Sequence, residues 1–165
     1  MLLFNRRAVL MLALGVGVSA CGFTPVYKLG TAANNLKGQI EIDLVKGRNG
    51  FELREELENK LGRADFGAPY VLTFKLTFNE TSLAVTEDEG TTRNNLNGVA
   101  AFTVRRKDTN SVVYKDSVRN ATVYGTTSKT FPSGVAQRDA NTRLAKALAA
   151  QIANRIAITA DGWAK

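Results

Sequence analysis

The chain has 165 residues, of which 44% are hydrophobic and 22% are charged, a composition typical of a folded globular protein rather than a disordered one. Its formal charge of +7 favours an anionic partner such as lipid headgroups, saccharide phosphates or nucleic acid, and equally fits an ordinary basic surface. Because histidine is absent and Cys21 is the only cysteine, the sequence excludes an internal disulfide, the usual zinc sites, and Ser-His-Asp or Cys-His catalytic groups.

The N-terminus has the pattern of a lipoprotein signal peptide. Arg6 and Arg7 precede an apolar run over residues 8–17 that is too short to span the roughly 30 Å hydrocarbon core of a membrane as a helix. A bacterial lipobox follows, formed by Val18, Ser19, Ala20 and Cys21. We predict that residues 1–20 are removed by cleavage between Ala20 and Cys21. Cys21 then carries the lipid, and the mature charge falls to +5 because both arginines leave.

Two features bear on export and location. Residues 5–10 match the twin-arginine export pattern only in part, so the sequence leaves the general secretory and twin-arginine routes both open. Residue 22 is glycine rather than the aspartate that, in the lipoproteins this chain resembles, favours retention in the inner membrane. Two acyl chains, at about 0.8 kcal/mol per buried methylene, suffice for lasting attachment. We therefore expect a lipid-anchored protein on the periplasmic side of the outer membrane.

The first part of the mature chain predicts a tether, a strand and a helix. Residues 21–36 show no sustained periodicity, which indicates a lipidated, extended tether. Residues 39–45 alternate, with Ile40, Ile42 and Leu44 on one face, as in a half-buried strand. Asn49 and Glu52 have the spacing of a capping box at the start of a helix over residues 51–61, which Gly62 is placed to end.

Three further strands and a long helix follow. Residues 70–79 alternate strictly, and their apolar face consists of Tyr70, Leu72, Phe74, Leu76 and Phe78. The acidic, threonine-rich residues 86–92 predict a hairpin loop rather than a metal site, because three adjacent acids cannot converge on one ion unaided. Residues 96–107 and 112–125 predict two more strands. A helix is predicted over residues 133–158, with a buried stripe of Ala140, Leu144, Leu148, Ile152 and Ile156.

The order β-α-β-β-β-α predicts an α+β fold, a two-layer sandwich in which two helices cover one face of a four-stranded mixed sheet. Residues 37–165 would form this single domain. The alternation leaves the other sheet face open, with polar and charged residues on it: Thr73, Lys75, Thr77, Thr103 and Arg105.

The lipobox cysteine and the run from Gly22 to Tyr27 resemble the start of mature lipopolysaccharide-assembly lipoproteins of the LptE family, especially the alphaproteobacterial type. The element order is also similar, as is a tyrosine, Tyr124, at the end of the last strand. The last helix shares its pattern of small and apolar residues with the family, at Ala136, Asp139, Ala140, Leu148, Ala149 and Ile152.

The resemblance implies a non-enzymatic outer-membrane lipoprotein without a cofactor or metal. Such a protein plugs the barrel protein LptD, helps it assemble, and takes part in delivering lipopolysaccharide to the outer leaflet. A lipopolysaccharide contact needs cations that reach phosphates. The candidate residues are the basic run at the end of one strand and two cations on its neighbour: Arg105, Arg106, Lys107, Lys115 and Arg119. The same cations could instead be solvated charges that prevent edge-to-edge aggregation.

Two other functions are an envelope adaptor and an enzyme. An envelope adaptor would bind protein or peptidoglycan without lipopolysaccharide transport. An enzyme acting on envelope polymers would need paired carboxylates in a cleft, whereas the acids of this sequence fall on an exposed helix face and in one loop. Export makes a nucleic acid an implausible partner.

Overall fold

The computed structural model describes residues 31–86, 91–127 and 129–164, without the side chains of residues 83–86 and 91. The elements in chain order are α1 (Ala32–Asn35), β1 (Ile40–Ile42), α2 (Arg48–Leu61), β2 (Tyr70–Thr86), β3 (Thr91–Arg106), β4 (Val112–Thr127) and α3 (Thr130–Trp163). The predicted order is confirmed, with one added helical turn, α1, before it. The signal peptide, Cys21 and the acidic residues 87–89 lie outside the described residues, so the predictions for them stay predictions.

The four strands form one mixed sheet in the order β1-β2-β3-β4, as predicted. β1 runs parallel to β2, and β2, β3 and β4 pair antiparallel. α2 and α3 pack against each other, and α3 covers β3 and β4. The α+β sandwich with helices on one face is therefore confirmed.

The core lies between the helices and one face of the sheet. The predicted stripe of α3 is fully confirmed, since all five of its residues are buried, and Leu53, Leu57 and Leu61 form the matching stripe of α2. Helix and sheet approach closely at Gly98, where a Cβ atom would lie 2.9 Å from Leu148 Cδ1. A side chain there would have to displace the ends of the Leu148, Leu144 and Phe78 side chains, so the glycine allows the helix and the sheet to pack closely.

β1 is shorter than its alternation predicted. The backbone N–H of Asp43 still donates to Leu72 O at 2.9 Å, but the Asp43 carboxylate then accepts from the N–H of Leu44 at 2.8 Å. This local hydrogen bond turns the chain away from the sheet. Leu44 is consequently 77% exposed, so its predicted place on the buried face is wrong.

The predicted capping box of α2 is also wrong. The helix begins at Arg48, its N-cap is Gly47 with φ 93°, and no side-chain cap hydrogen bond is present. A positive φ at Gly47 turns the chain directly into the helix, which places Asn49 inside the first turn. The predicted end at Gly62 is confirmed, with φ 82°.

α3 extends beyond both predicted ends, residues 133 and 158. At its start, Ser133 lies inside the first turn, where its hydroxyl accepts from the N–H of Thr127 at 2.9 Å. Pro132 is tolerated because a residue of the first turn needs no N–H for the helix. At its end, the Trp163 ring packs between Tyr70 and Tyr114, with ring centroids 5.5 and 6.0 Å away, and this contact stabilises the last turn.

The predicted hairpin loop and the predicted tether each contain residues that belong to a strand or a helix. Thr86 pairs with Thr91, so both ends of the predicted hairpin loop belong to strands. Residues 87–90 lie outside the described residues. The described end of the predicted tether forms α1, where Thr31 Oγ1 caps the helix and Leu36 is buried. The extended conformation predicted up to residue 36 is therefore wrong for residues 31–36.

Candidate functional site

The sheet face opposite the helices is open and polar. Threonine, serine and asparagine alternate on it with cations and with small or branched apolar residues such as Val99 and Ala101. Residues paired across β2, β3 and β4 share this face in rows such as Thr73, Thr103 and Lys115. Successive rows lie about 6.7 Å apart along the strands, and neighbouring strands about 4.8 Å apart. No described element covers the open face that the alternation predicted, so a large ligand can reach it from that side.

The alternation places five cations of β2 to β4 on this face: Lys75, Arg93, Arg105, Lys115 and Arg119. Three of the five, Lys75 of β2 and Lys115 and Arg119 of β4, lie in consecutive rows. All three side chains are exposed, and none forms an ion pair with a described residue. Lys115 shares the first of these rows with Thr103. Lys75 shares the second row with Ala101, and Arg119 shares the third row with Val99. From strand and row spacing, the three Cα atoms form a triangle with sides of about 12 Å. We call these three residues the open-face cations.

The structure places the three residues of the basic run at the end of β3 in different surroundings. Arg105 lies on the open face, partly buried, and its Nη1 donates to the backbone carbonyl of Asn110 at 3.3 Å. Arg106 lies on the helix-covered side, with its guanidinium carbon 5.7 Å from the ring centroid of Tyr70. Lys107 pairs with Glu41 of β1. The structure therefore groups Arg105, Lys115 and Arg119 on one face and places Arg106 and Lys107 elsewhere.

The Lys107–Glu41 pair is an edge contact. Its hydrogen bond and the charge of the lysine lower the pKa of the Glu41 carboxyl from its ordinary value. Both side chains are substantially exposed, so the pair adds little to stability. Its effect is to neutralise Lys107, which makes that lysine a weaker anion contact than the open-face cations.

The acids of the same strands face the opposite side. Glu80 accepts a hydrogen bond from the Tyr124 hydroxyl at 2.5 Å and another from Gln137 of α3 at 3.0 Å. Burial, and then this contact with Glu80, raise the pKa of Tyr124 to about 12. Asp116 accepts from Tyr114 on the same side at 3.1 Å. Within the described strands β2 to β4, both acids therefore lie on the helix side, and every cation except Arg106 lies on the open face.

This arrangement suits binding rather than catalysis. Three exposed cations about 12 Å apart, without ion pairs in the part of the chain that the structure describes, can each reach a separate anionic group, and arginine and lysine both bind phosphates. The alternation predicted Lys75 on the open face, although Lys75 was not among the predicted lipopolysaccharide contacts. Consecutive basic residues of a strand point to alternate faces, so the residues that share a face are those two positions apart and their partners on neighbouring strands.

The sequence matches the profile of the LptE lipopolysaccharide-assembly family over residues 38–156. No match was found among curated proteins. Among solved structures, a protein of Caulobacter crescentus CB15 assigned as a lipoprotein has a TM-score of 0.65 and 22% identity, covering 79% of this chain and 96% of that one. A minor lipoprotein of Acinetobacter baumannii has a TM-score of 0.54 and 16% identity, covering 74% of this chain and 94% of its own.

Rare lipoprotein B of Shewanella oneidensis is similar to the same degree, with a TM-score of 0.54, 12% identity, and coverage of 74% and 95% of the two chains. At these identities the structures establish a shared fold. No helix among the described residues combines the length and the apolar character needed to cross a membrane. The profile match includes every element from β1 to β4 and most of α3. The chain belongs to the LptE lipopolysaccharide-assembly family.

Proposed function

We propose that this protein is an outer-membrane lipoprotein, anchored through Cys21 on the periplasmic side, that plugs an LptD-type barrel and helps it assemble. In that position it takes part in passing lipopolysaccharide to the outer leaflet, and it acts by binding, without catalysis. Family membership supports the role in lipopolysaccharide assembly. The barrel partner and the membrane follow from the resemblance and the lipobox.

The observation that carries the proposal is the segregation of charge across the sheet. The open face presents Lys75, Lys115 and Arg119 without ion pairs among the described residues, while the helices cover the opposite face. A polar, cationic surface can face a water-filled lumen and bind the phosphates of a passing lipid. Of the five residues predicted to contact lipopolysaccharide, Lys115 and Arg119 belong to the open-face cations, and Lys75 is added to them.

Copurification tests the proposal directly. The mature protein, tagged at its C-terminus, would be captured from detergent-solubilised outer membrane, and its partners identified by mass spectrometry. We expect a large β-barrel protein and lipopolysaccharide in near-stoichiometric amounts. Capture of periplasmic protein or peptidoglycan fragments alone, with no barrel, would instead favour an envelope adaptor.

Substituting Cys21→Ala tests the anchor. The cysteine sulfur accepts the acyl chains, so we expect this variant to lose the lipid, retain residues 1–20, and leave the outer-membrane fraction. Metabolic labelling with a radioactive fatty acid, followed by fractionation, measures both effects. Ser19→Ala, which keeps a small residue in the lipobox, is the matched control and should be labelled like the parent. Labelling of the Cys21→Ala variant would show that the lipobox assignment is wrong.

A further inference from the structure

β1 covers only the first part of β2. Its three residues pair with residues 70–72, and the hydrogen bond from the Asp43 N–H to Leu72 O, at 2.9 Å, follows directly after them. β2 itself continues to Thr86. Beyond Leu72, β2 therefore pairs with β3 on one side, and on its other side no strand of the described chain lies next to it.

The backbone groups along this edge form no hydrogen bond with a described residue. Tyr70 N–H donates to Gln39 O at 3.2 Å, and Leu72 O accepts from Asp43, so the backbone groups of Tyr70 and Leu72 point toward β1. Backbone groups alternate sides along a strand, so those of the even-numbered residues in the range 74–82 point the same way. Beyond β1 they have no partner there. The edge thus presents a row of unpaired N–H and C=O groups about 27 Å long.

A groove of about 300 Å³ lies beside this edge on the helix side. Leu76 and Phe78 line it from β2, while Val45 and the first turn of α2 line it from the opposite side. All three apolar side chains are only partly buried. A strand added next to β2 would point alternate side chains to the same face as Leu76 and Phe78, so apolar side chains of that strand would fill the groove.

The charges beside the groove are positive. Lys46 and Arg48 line it, and no acid of the described chain does. Lys75 lies on the open face of the same edge, and neither Lys75 nor Lys46 forms an ion pair with a described residue. The acids at the two ends of the edge are hydrogen-bonded, since the Asp43 carboxylate accepts from the next backbone N–H and the Glu80 carboxylate accepts from β4 and α3. An occupant of the edge is therefore expected to carry acidic residues.

A second copy of this chain does not suit the edge. Antiparallel self-pairing is symmetric about its centre, so a centre before Glu80 would bring the β2 strand of the second copy against Leu72, where β1 already lies. A centre at Glu80 places this carboxylate opposite its own copy, and like charges directly opposite are destabilising. A centre beyond Glu80 includes the irregularity between Ser82 and Ala84, which disrupts pairing. The occupant is therefore a different polypeptide.

We propose that the free edge of β2, residues 74–82, binds an extended, acidic segment of another protein, which adds a strand to the sheet. Alternate apolar side chains of that segment fill the groove at Leu76 and Phe78, and its acidic side chains meet the three cations beside the edge. Main-chain hydrogen bonds supply the affinity, while the groove and the cations supply the specificity. The proposal rests on the edge, the groove and the charges, and does not depend on the proposed function.

Hydrogen exchange with a synthetic peptide tests the edge. The probe is a peptide blocked at both ends, TVEVTVEVT, which alternates valine with threonine or glutamate. Exchange in the mature protein, purified in detergent, is read residue by residue by NMR. Without peptide, we expect the Leu76 and Phe78 amides to exchange about 100-fold faster than those of Thr77 and Asn79, which face β3. Saturating peptide should slow Leu76 and Phe78 at least about tenfold and leave Thr77 and Asn79 unchanged.

Two control peptides examine the hydrogen bonds and the charge separately. Proline at the two central positions removes an N–H from each side of the peptide, so this peptide should slow neither amide. Lysine in place of both glutamates should weaken binding about tenfold. The protein variant Lys46→Glu with Lys75→Glu, changed at two exposed positions, should reverse that preference.

Each other result contradicts the proposal. Slow exchange of Leu76 and Phe78 in the free protein would mean that the edge is already covered, and slowing that depends on protein concentration alone would assign it to a second copy. Peptide that shifts resonances without slowing these amides, or equal slowing by the proline peptide, would show that no strand is added. Equal binding of the glutamate and lysine peptides by the parent would exclude an acidic partner.

Discussion

Replacing Leu148 with aspartate should unfold the protein. Leu148 is fully buried in the middle of α3 and contacts the sheet at Gly98. The change removes a buried side chain, worth about 2–5 kcal/mol, and places a carboxylate in the core without a partner, which costs several kcal/mol more. Because the free energy of unfolding of a small domain is only about 5–15 kcal/mol, we expect most or all of it to be lost.

Thermal unfolding followed by circular dichroism measures this effect. The matched control is Lys146→Asp, two residues away on the same helix, where the side chain is exposed. A surface change of this kind usually alters stability by less than about 0.5 kcal/mol, so the control should melt like the parent. If Leu148→Asp also melted like the parent, the packing of α3 on the sheet would be wrong.

The periodic parts of the fold could be predicted from the sequence because periodicity records which side of an element is buried. The spacing of four from Ala140 to Ile156 identified the buried face of α3, and the alternation from Tyr70 to Phe78 identified that of β2. Each pattern extends over several turns or strand residues, so a local irregularity does not change it. The same patterns are sufficient for the order of elements and for the two-layer architecture.

The ends of elements could not be predicted because contacts distant in sequence decide them. α3 continues to Trp163 because that ring packs between two tyrosines of the sheet, and nothing near Trp163 in sequence indicates this. Similarly, the alternation continues through Leu44, but β1 leaves β2 after Asp43, whose carboxylate accepts from the N–H of Leu44, although β2 itself continues to Thr86. A helix can also begin without a side-chain cap where a glycine such as Gly47 supplies the turn.

The sequence predicted the chemistry of the candidate site, an anion contact made by cations, but not which residues form it. Basic residues near the end of β3 and on β4 indicated an anion contact, and the structure places Arg105, Lys115 and Arg119 on one face. Three consecutive cations cannot all share a strand face, because neighbouring side chains point to opposite sides. Arg106 is therefore near Tyr70 on the helix side, whereas Lys75, distant in sequence, joins the face through the pairing of β2 with β3.

Reversing the charge of the open-face cations should weaken lipopolysaccharide binding without unfolding the protein. An exposed charge pair contributes up to about 1 kcal/mol, so changing Lys75, Lys115 and Arg119 to glutamate should reduce affinity about 10- to 100-fold at low salt. The parent should itself bind less tightly as salt rises, because the screening length is only about 8 Å at physiological ionic strength. Binding of purified lipopolysaccharide at several salt concentrations measures both effects.

The control must change the net charge equally, because a more acidic protein repels an anionic lipid wherever its charges lie. Lys46, Arg138 and Lys146 are exposed cations away from the open face, and changing them to glutamate gives a variant of identical charge. A second comparison reverses Arg105, Arg106 and Lys107, where only Arg105 is on the open face. We expect a large loss for the open-face variant, a smaller loss for the basic run, and the smallest for the control. Equal losses in all three would mean that net charge alone attracts the lipid. If the open-face variant also still captured the barrel, lipid contact and barrel contact would be separate surfaces, because the same substitutions would have removed one and spared the other.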